Sequence, residues 1–201
     1  MRKYILASAS PRRQYLLKEA GIDFECIPCI GVDEELIASQ IMERNNVELY
    51  WIPETLAKEK AREVETRVPK GSSIIISADT IVVLDGKILG KPKSEMEAVE
   101  MLRKLSGNKH TVITGVCLIK AGEPGGISMF NVKTEVNFKR LREDQIQHYV
   151  STYQPLDKAG AYGIQEWIGY YGVSGINGCF YNVMGLPLSA LMEELERFEG
   201  A

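Results

Sequence analysis

The segment best equipped to bind an anion is Ser8-Ala9-Ser10-Pro11-Arg12-Arg13, directly after the apolar run Tyr4-Ile5-Leu6-Ala7. It reads as a strand that ends in small hydroxyl residues and turns at once into a helix. Ser10 suits the N-cap and Pro11 the first helical position. The start of such a helix offers backbone N–H groups and a positive dipole end, and both attract anions. Ordinary charge preference puts Asp or Glu in a first helical turn, not two arginines. Arg12 and Arg13 at this point indicate a bound polyanion, phosphate above all, although the tetrapeptide alone also fits an ordinary surface helix start.

Asp79 is the second chemical residue. It follows Ser73-Ile74-Ile75-Ile76, a run suited to burial on both faces of a sheet. Carboxylates at the carboxyl ends of such strands mark the ligand crevice of α/β sheets. A plain surface turn would favour Gly or Asn nearby, and the flanks here are Ala78 and Thr80-Ile81-Val82. Lys91-Pro92-Lys93 could aim an ammonium at a ligand, or form a solvated turn. Asp157-Lys158-Ala159-Gly160-Ala161-Tyr162-Gly163-Ile164-Gln165 could let a planar base approach the backbone while Gln165 reads its edge, or could simply connect strands. Two arginines, two lysines and acids at 33, 34 and 79 suit a nucleoside triphosphate with a divalent ion. Phosphate takes the cations, and a hard metal takes the carboxylates.

These residues need elements to position them. The pattern predicts a strand over 4–8, a helix from Pro11 to about Ala20 stopped by Gly21, and a strand over Ile22–Pro28. Gly31-Val32-Asp33-Glu34 is expected as a loop before a weakly patterned helical stretch. Pro53 is expected to start a helix over Glu54–Val64, with Leu56, Ala57, Lys60 and Ala61 at helical spacing. A strand over Ser73–Ser77 is expected to break at Asp79-Thr80 and resume over Ile81–Leu84. Asp85-Gly86 is a hairpin signal into Lys87–Leu89. Ser94 and Glu97 form a capping box for a helix to Leu105. Strands over His110–Lys120 and Ile127–Phe138 and a helix over Arg142–Val150 follow. After them come a glycine-rich stretch from Ala159 to Gly178 and a helix after Pro187. Interleaved helices and strands give an α/β class with a mixed sheet.

The 201 residues suffice for one large domain or two small lobes. A net charge of −3 argues against general nucleic-acid binding. No apolar run reaches membrane-spanning length, and the start Met1-Arg2-Lys3 has too short an apolar segment behind it for a signal peptide, so the cytoplasm is the expected compartment. Cys26 and Cys29 form a CxxC, but no second pair accompanies it, which disfavours structural zinc. With only His110 and His148 as histidines, any metal is expected to be Mg²⁺ or Mn²⁺ held by carboxylates and phosphate oxygens.

Taken together, the chain closely resembles the Maf family of nucleotide pyrophosphatases, also called septum formation proteins. The matching segments are Leu6 to Arg13, Val32-Asp33-Glu34, Ala57 to Ala61, Ser77 to Val82, Gly90-Lys91-Pro92, Leu105-Ser106-Gly107 with His110 to Val116, Asp157 to Gln165, and Asn182 to Pro187. The resemblance implies one Maf-like domain over 1–201. Its fold would be an elongated, inosine-triphosphatase-like mixed sheet flanked by helices, with two lobes around a central cleft, often dimeric. It implies hydrolysis of nucleoside triphosphates to monophosphate and pyrophosphate with a divalent cation. The family's catalytic aspartate falls on Asp79, and Arg12, Thr80 and Gln165 fall on positions that tune base choice. The phosphates are expected on Ser8, Ser10, Arg13, Lys60 and Lys91, and the metal on Glu34 and Asp79. Ala-Gly-Ala-Tyr-Gly-Ile-Gln resembles the branch acting on dTTP and UTP, with 5-methyl-UTP and pseudo-UTP as further substrates, in a housecleaning role. Glu166-Trp167-Ile168-Gly169-Tyr170-Tyr171 is longer and more aromatic than in many members. Two other readings are a nucleotide-binding regulator of cell division with incidental hydrolysis, and a phosphatase acting on nucleoside monophosphates or sugar phosphates.

Overall fold

Parallel pairing of three short segments sets the frame around the N-terminus. In the computed structural model, which describes residues 3–43, 48–71 and 73–200, β1 (Lys3–Leu6) lies between β2 (Phe24–Cys26) and the first half of β3 (Ser73–Leu84), parallel to both. Leu6 is level with Cys26 on one side and Ile76 on the other. The hydrogen-bonding order of the mixed sheet is β2-β1-β3-β5-β6-β7, with β4 (Lys87–Leu89) antiparallel on β3. Here β5 is Lys109–Lys120, β6 Ile127–Phe138 and β7 Val173–Asn177, the last antiparallel to β6.

The helices are α1 (Pro11–Glu19), α2 (Glu34–Met42), α3 (Trp51–Glu65), α4 (Glu95–Leu105), α5 (Glu143–Tyr153), α6 (Trp167–Gly172), α7 (Phe180–Met184) and α8 (Leu188–Gly200). Among the described residues no helix is long and apolar enough to cross a membrane. The chain divides into two compact units. The first comprises Met1–Asp79, Thr114–Val132 and Gly185–Ala201, and the second Thr80–Ile113 and Lys133–Met184.

The first unit is built around α3. Ala57, Ala61 and Val64 recur at helical spacing and pack with Ile5, Ala7, Ile75, Cys117 and Ile119. Small residues let the helix sit close to the strands, and that closeness makes glycine compulsory at position 115. A Cβ there would lie 2.3 Å from the Glu54 backbone nitrogen. Lys60 falls on the same stripe and is therefore carried into the interior, 7% exposed.

In the second unit Asp85-Gly86 forms the expected tight turn, both residues with positive φ, and α4 packs on α5. Ser94 Oγ accepts the Glu97 N–H as expected, whereas the Glu97 carboxylate reaches the N–H of Lys93 rather than that of Ser94.

Several boundaries differ from expectation. β3 is continuous through Asp79 and Thr80, because a strand buried along most of its length is held by its neighbours whatever the propensity of one Asp. β2 is limited to three residues, and Glu34 is not in a loop but opens α2. Tertiary packing starts α3 at Trp51, two residues before Pro53. α5 begins at Glu143 with Arg142 as its N-cap and runs to Tyr153. The glycine-rich stretch from Ala159 to Gly178 contains α6 and β7. Met1 and Arg2, and residues 44–47 of the stretch expected to be helical, lie outside the described residues.

Candidate active site

The parallel pairing of β1 with β3 ends where the candidate residues gather. After the last β1–β3 contact, Ala7 N–H to Ile76 O at 2.8 Å, the chain turns out of the sheet at Ser8. Ser8 is 8% exposed, and its hydroxyl accepts the N–H of Ser10 (3.3 Å) and a guanidinium N–H of Arg13 (3.1 Å). Ser10 sits at the N-cap of α1 with Pro11 next, as expected, but its side chain makes no capping bond to the helix. Arg13 is fixed at its other edge, where Nε donates to Gly185 O at 2.8 Å. Desolvation lowers the pKa of Arg13, against the opposing pull of Asp79 and Glu34, and a guanidinium stays charged regardless. Arg12 is near enough for its charge to be felt by Arg13.

Asp79, 8% exposed, belongs to β3, three residues beyond Ile76. Lys60 Nζ lies 2.5 Å from Asp79 Oδ1 and 2.7 Å from Glu34 Oε1. Burial alone would favour the neutral amine, but Asp79 and Glu34 outweigh it and raise the Lys60 pKa above its ordinary value. Glu34 is presented by the first turn of α2, whose start is fixed by Asp33 accepting the Leu36 N–H at 2.9 Å. Strand alternation puts Ser77 on the same face as Asp79. Its Oγ is buried and has no hydrogen-bond partner.

Ser8, Arg13, Glu34, Lys60 and Asp79 are thus brought together within one unit, with Ser10 and Arg12 at the same helix start. Thr80, Lys91 and Gln165 belong to the second unit. Thr80 directly follows Asp79 on β3, and Lys91 lies on the exposed loop after β4.

Gln165 is held by the loop around it. Tyr149 is fully buried; its hydroxyl accepts the Gly163 N–H at 3.0 Å and donates to the Glu166 carboxylate. Lys158, 8% exposed, pairs with Asp157 at 2.7 Å and Glu166 at 3.2 Å. Burial, then Glu166, push the Tyr149 pKa well up. His110 Nε2 bonds the Tyr162 hydroxyl at 2.7 Å, and both rings pack edge-on to Phe138. Gly169 has no room for a side chain, since a Cβ would lie 1.7 Å from Ile164 O. Gln165 lines a hollow of about 440 Å³ with Ile164, Tyr170, Ile176 and Phe180, and its Oε1 is buried without a protein partner.

Three parts of this arrangement escape a reading of the sequence. The Gly185 carbonyl that seats Arg13 belongs to a matching segment, but a backbone contact leaves no residue-type signal. The Cys26 thiol donates to Ser8 O at 3.3 Å, so half of the CxxC supports the serine loop. All four cysteines are free thiols. The Tyr149–Glu166–Lys158 network joins residues from α5, the loop and the start of α6, and only the charge on Lys158 hinted at it.

The donor set at Glu34 and Asp79 fits a divalent cation. Two carboxylates give the hard oxygen ligands that Mg²⁺ takes when phosphates and water fill its other positions. The Lys60 ammonium already stands as a cation where they converge. Among the described residues, no group of three or more His, Cys, Asp or Glu gathers as a metal cage.

In this α/β sheet an arginine-bearing helix start lies where the parallel pairing of β1 and β3 stops, with a lysine bridging two carboxylates in the same unit, and this is a setting suited to handling phosphate. The family model "Maf-like protein" matches residues 3–198, and the chain belongs to that family. It is 47% identical over 193 residues to a dTTP/UTP pyrophosphatase of Bacteroides thetaiotaomicron, covering 96% of this chain and 94% of that one. It is 48% identical over 193 residues to a dTTP/UTP pyrophosphatase of Cytophaga hutchinsonii, covering 96% and 83%. Among solved structures, a nucleoside-triphosphatase / dITP/XTP pyrophosphatase of Mycobacterium abscessus aligns at a TM-score of 0.43 with 12% identity, covering 69% of this chain and 75% of that one.

Proposed function

We propose that the whole chain, 1–201, works as a single Maf-like domain that hydrolyses dTTP and UTP to the monophosphate and pyrophosphate. The observation that carries this reading is the meeting of Asp79, Lys60 and Glu34 beside Arg13 and Ser8, in a chain so similar to dTTP/UTP pyrophosphatases.

The residues then divide the work. Arg13, held at both edges by Ser8 and Gly185, offers its outer N–H groups to phosphate oxygens. Lys60 and Lys91 add charge, and Ser8, Ser10 and the start of α1 add hydrogen bonds. Fixed donors of this kind supply most of phosphoryl-transfer catalysis, because little covalent work is left to the protein. The Asp79 carboxylate orients a water for in-line attack on the α-phosphorus and accepts its proton, and pyrophosphate leaves. A divalent cation held by Glu34 and Asp79 would neutralise phosphate charge and favour ionisation of the attacking water.

Base choice is assigned to Arg12, Thr80 and Gln165. Gln165 Oε1 is an unpartnered acceptor beside an apolar hollow. Such an acceptor suits the ring N3–H of thymine and uracil and does not suit cytosine, whose N3 is itself an acceptor. A panel of nucleoside triphosphates with Mg²⁺ or Mn²⁺, scored for pyrophosphate, tests the reading. dTTP and UTP should exceed CTP and the purine nucleotides, with 5-methyl-UTP and pseudo-UTP also accepted. Release of inorganic phosphate alone would overturn it in favour of a phosphatase.

A further inference from the structure

Lys60 stands in two roles that one ammonium cannot fill at once. It is counted among the phosphate-binding cations, yet its Nζ sits at the convergence of Glu34 Oε1 (2.7 Å) and Asp79 Oδ1 (2.5 Å). Those two oxygens are the ones a divalent cation would need. Magnesium–oxygen bonds are about 2.0–2.1 Å, so a metal at this point requires only a small inward shift of the carboxylates. The site is poorly screened, since the side chains of Lys60 and Asp79 are 9% and 12% exposed. A dication and an ammonium therefore compete for it directly. The Glu34 side chain is 41% exposed and gives access from solvent. The buried, unpartnered Ser77 hydroxyl on the Asp79 face is a second sign that a polar ligand belongs here. Lysine has the means to yield, because its four-carbon stem offers several rotatable bonds while its root stays on α3, whose neighbouring Ala57 and Ala61 are packed in the core.

We propose that Lys60 is a built-in counter-cation that keeps the metal site closed until substrate arrives. With no nucleotide bound, it holds Glu34 and Asp79 in place and excludes divalent cations. The triphosphate offers the ammonium an alternative anion, Lys60 swings onto it, and the carboxylates open to the metal that the nucleotide brings. Metal entry and delivery of Lys60 to phosphate are then one coupled event. The inference rests on the assignment of Glu34 and Asp79 as the metal-holding pair.

The test is Mn²⁺ binding without nucleotide, read as loss of the free-Mn²⁺ electron paramagnetic resonance signal. Wild type should bind weakly. Lys60→Met should bind at least about tenfold more tightly, since the competing charge is gone. Lys60→Arg, which keeps the charge, should show no such gain, and Lys60→Met/Glu34→Gln should lose it. Melting curves check folding, and Lys60→Gln carries the same expectation should Lys60→Met not fold. Unchanged or weaker binding by the neutral variants overturns the proposal, as does a gain that survives Glu34→Gln. A wild-type Kd of about 1 μM or below for Mn²⁺ alone contradicts it whatever the variants do. Failure of the proposed activity is separately visible, because a wild type that releases no pyrophosphate from any triphosphate leaves the Mn²⁺ comparison intact.

Discussion

In the first unit, Glu34, Lys60 and Asp79 meet at one ammonium, with Arg13 close enough to feel both carboxylates. In the second, the loop from Asp157 to Gln165 is held by two buried phenols, a histidine that burial keeps neutral, and the buried Lys158 ammonium paired with Asp157 and Glu166. Charges gathered at the end of parallel strands are costly to the fold and useful to a polyanionic ligand. Neutral hydrogen bonds behind a loop are cheap once satisfied, and they fix the position of what the loop carries. On the proposed reading, chemistry falls mainly to the first unit and selection mainly to the second, with Arg12 and Lys91 as the exceptions.

The largest effect should come from Asp79→Asn, which keeps the shape and removes the proton acceptor. We expect pyrophosphate release to fall by about 10²–10⁴-fold, with the fold retained by circular dichroism. Near-normal turnover would erase the contrast.

The next tests the neutral side. Burial lowers the His110 pKa to about 4 from 6.5. The unfolded chain therefore takes up a proton that the folded chain refuses as pH drops from 6.5 towards 4, and stability falls over that window. The full loss is about 3 kcal/mol. Denaturant titrations across this range should show it, and His110→Phe should flatten that part of the profile.

A smaller loss is expected of Tyr149→Phe, which strips the acceptor from the Gly163 N–H and a donor from Glu166. It should cost about 1–3 kcal/mol of stability and shift KM for dTTP more than kcat. An equal fall in kcat with KM unchanged would move this network to the chemical side. Smallest is Gln165→Ala, expected to narrow the preference for dTTP and UTP over CTP by about tenfold. Equal loss on all three would remove Gln165 from base reading.

How much of this was legible depended on whether a residue's role was local. The turn from β1 into α1 could be read because Ser10, Pro11 and the arginines carry their signal within six residues, and the Asp85-Gly86 hairpin likewise. Lys60 could be placed on the apolar stripe of α3 from its spacing with Ala57 and Ala61. That it bridges Glu34 and Asp79 could not be read, since these partners are 26 and 19 positions away and meet only through packing. Asp79 stands out in the sequence as a carboxylate following a buried run, but the same local signal predicts a break at Asp79-Thr80 that the structure does not have. The strand's continuation is decided by flanking strands that no local window contains. The short α6 and β7 were hidden by glycines, of which Gly169 is required by its contact with the Ile164 carbonyl rather than by a turn.

Attack of water on the α-phosphorus, proposed for the first unit, is tested most directly by hydrolysing dTTP in ¹⁸O-labelled water. One ¹⁸O should appear in the dTMP produced and none in the pyrophosphate. Label in pyrophosphate, or in inorganic phosphate with dTDP as the other product, would contradict it.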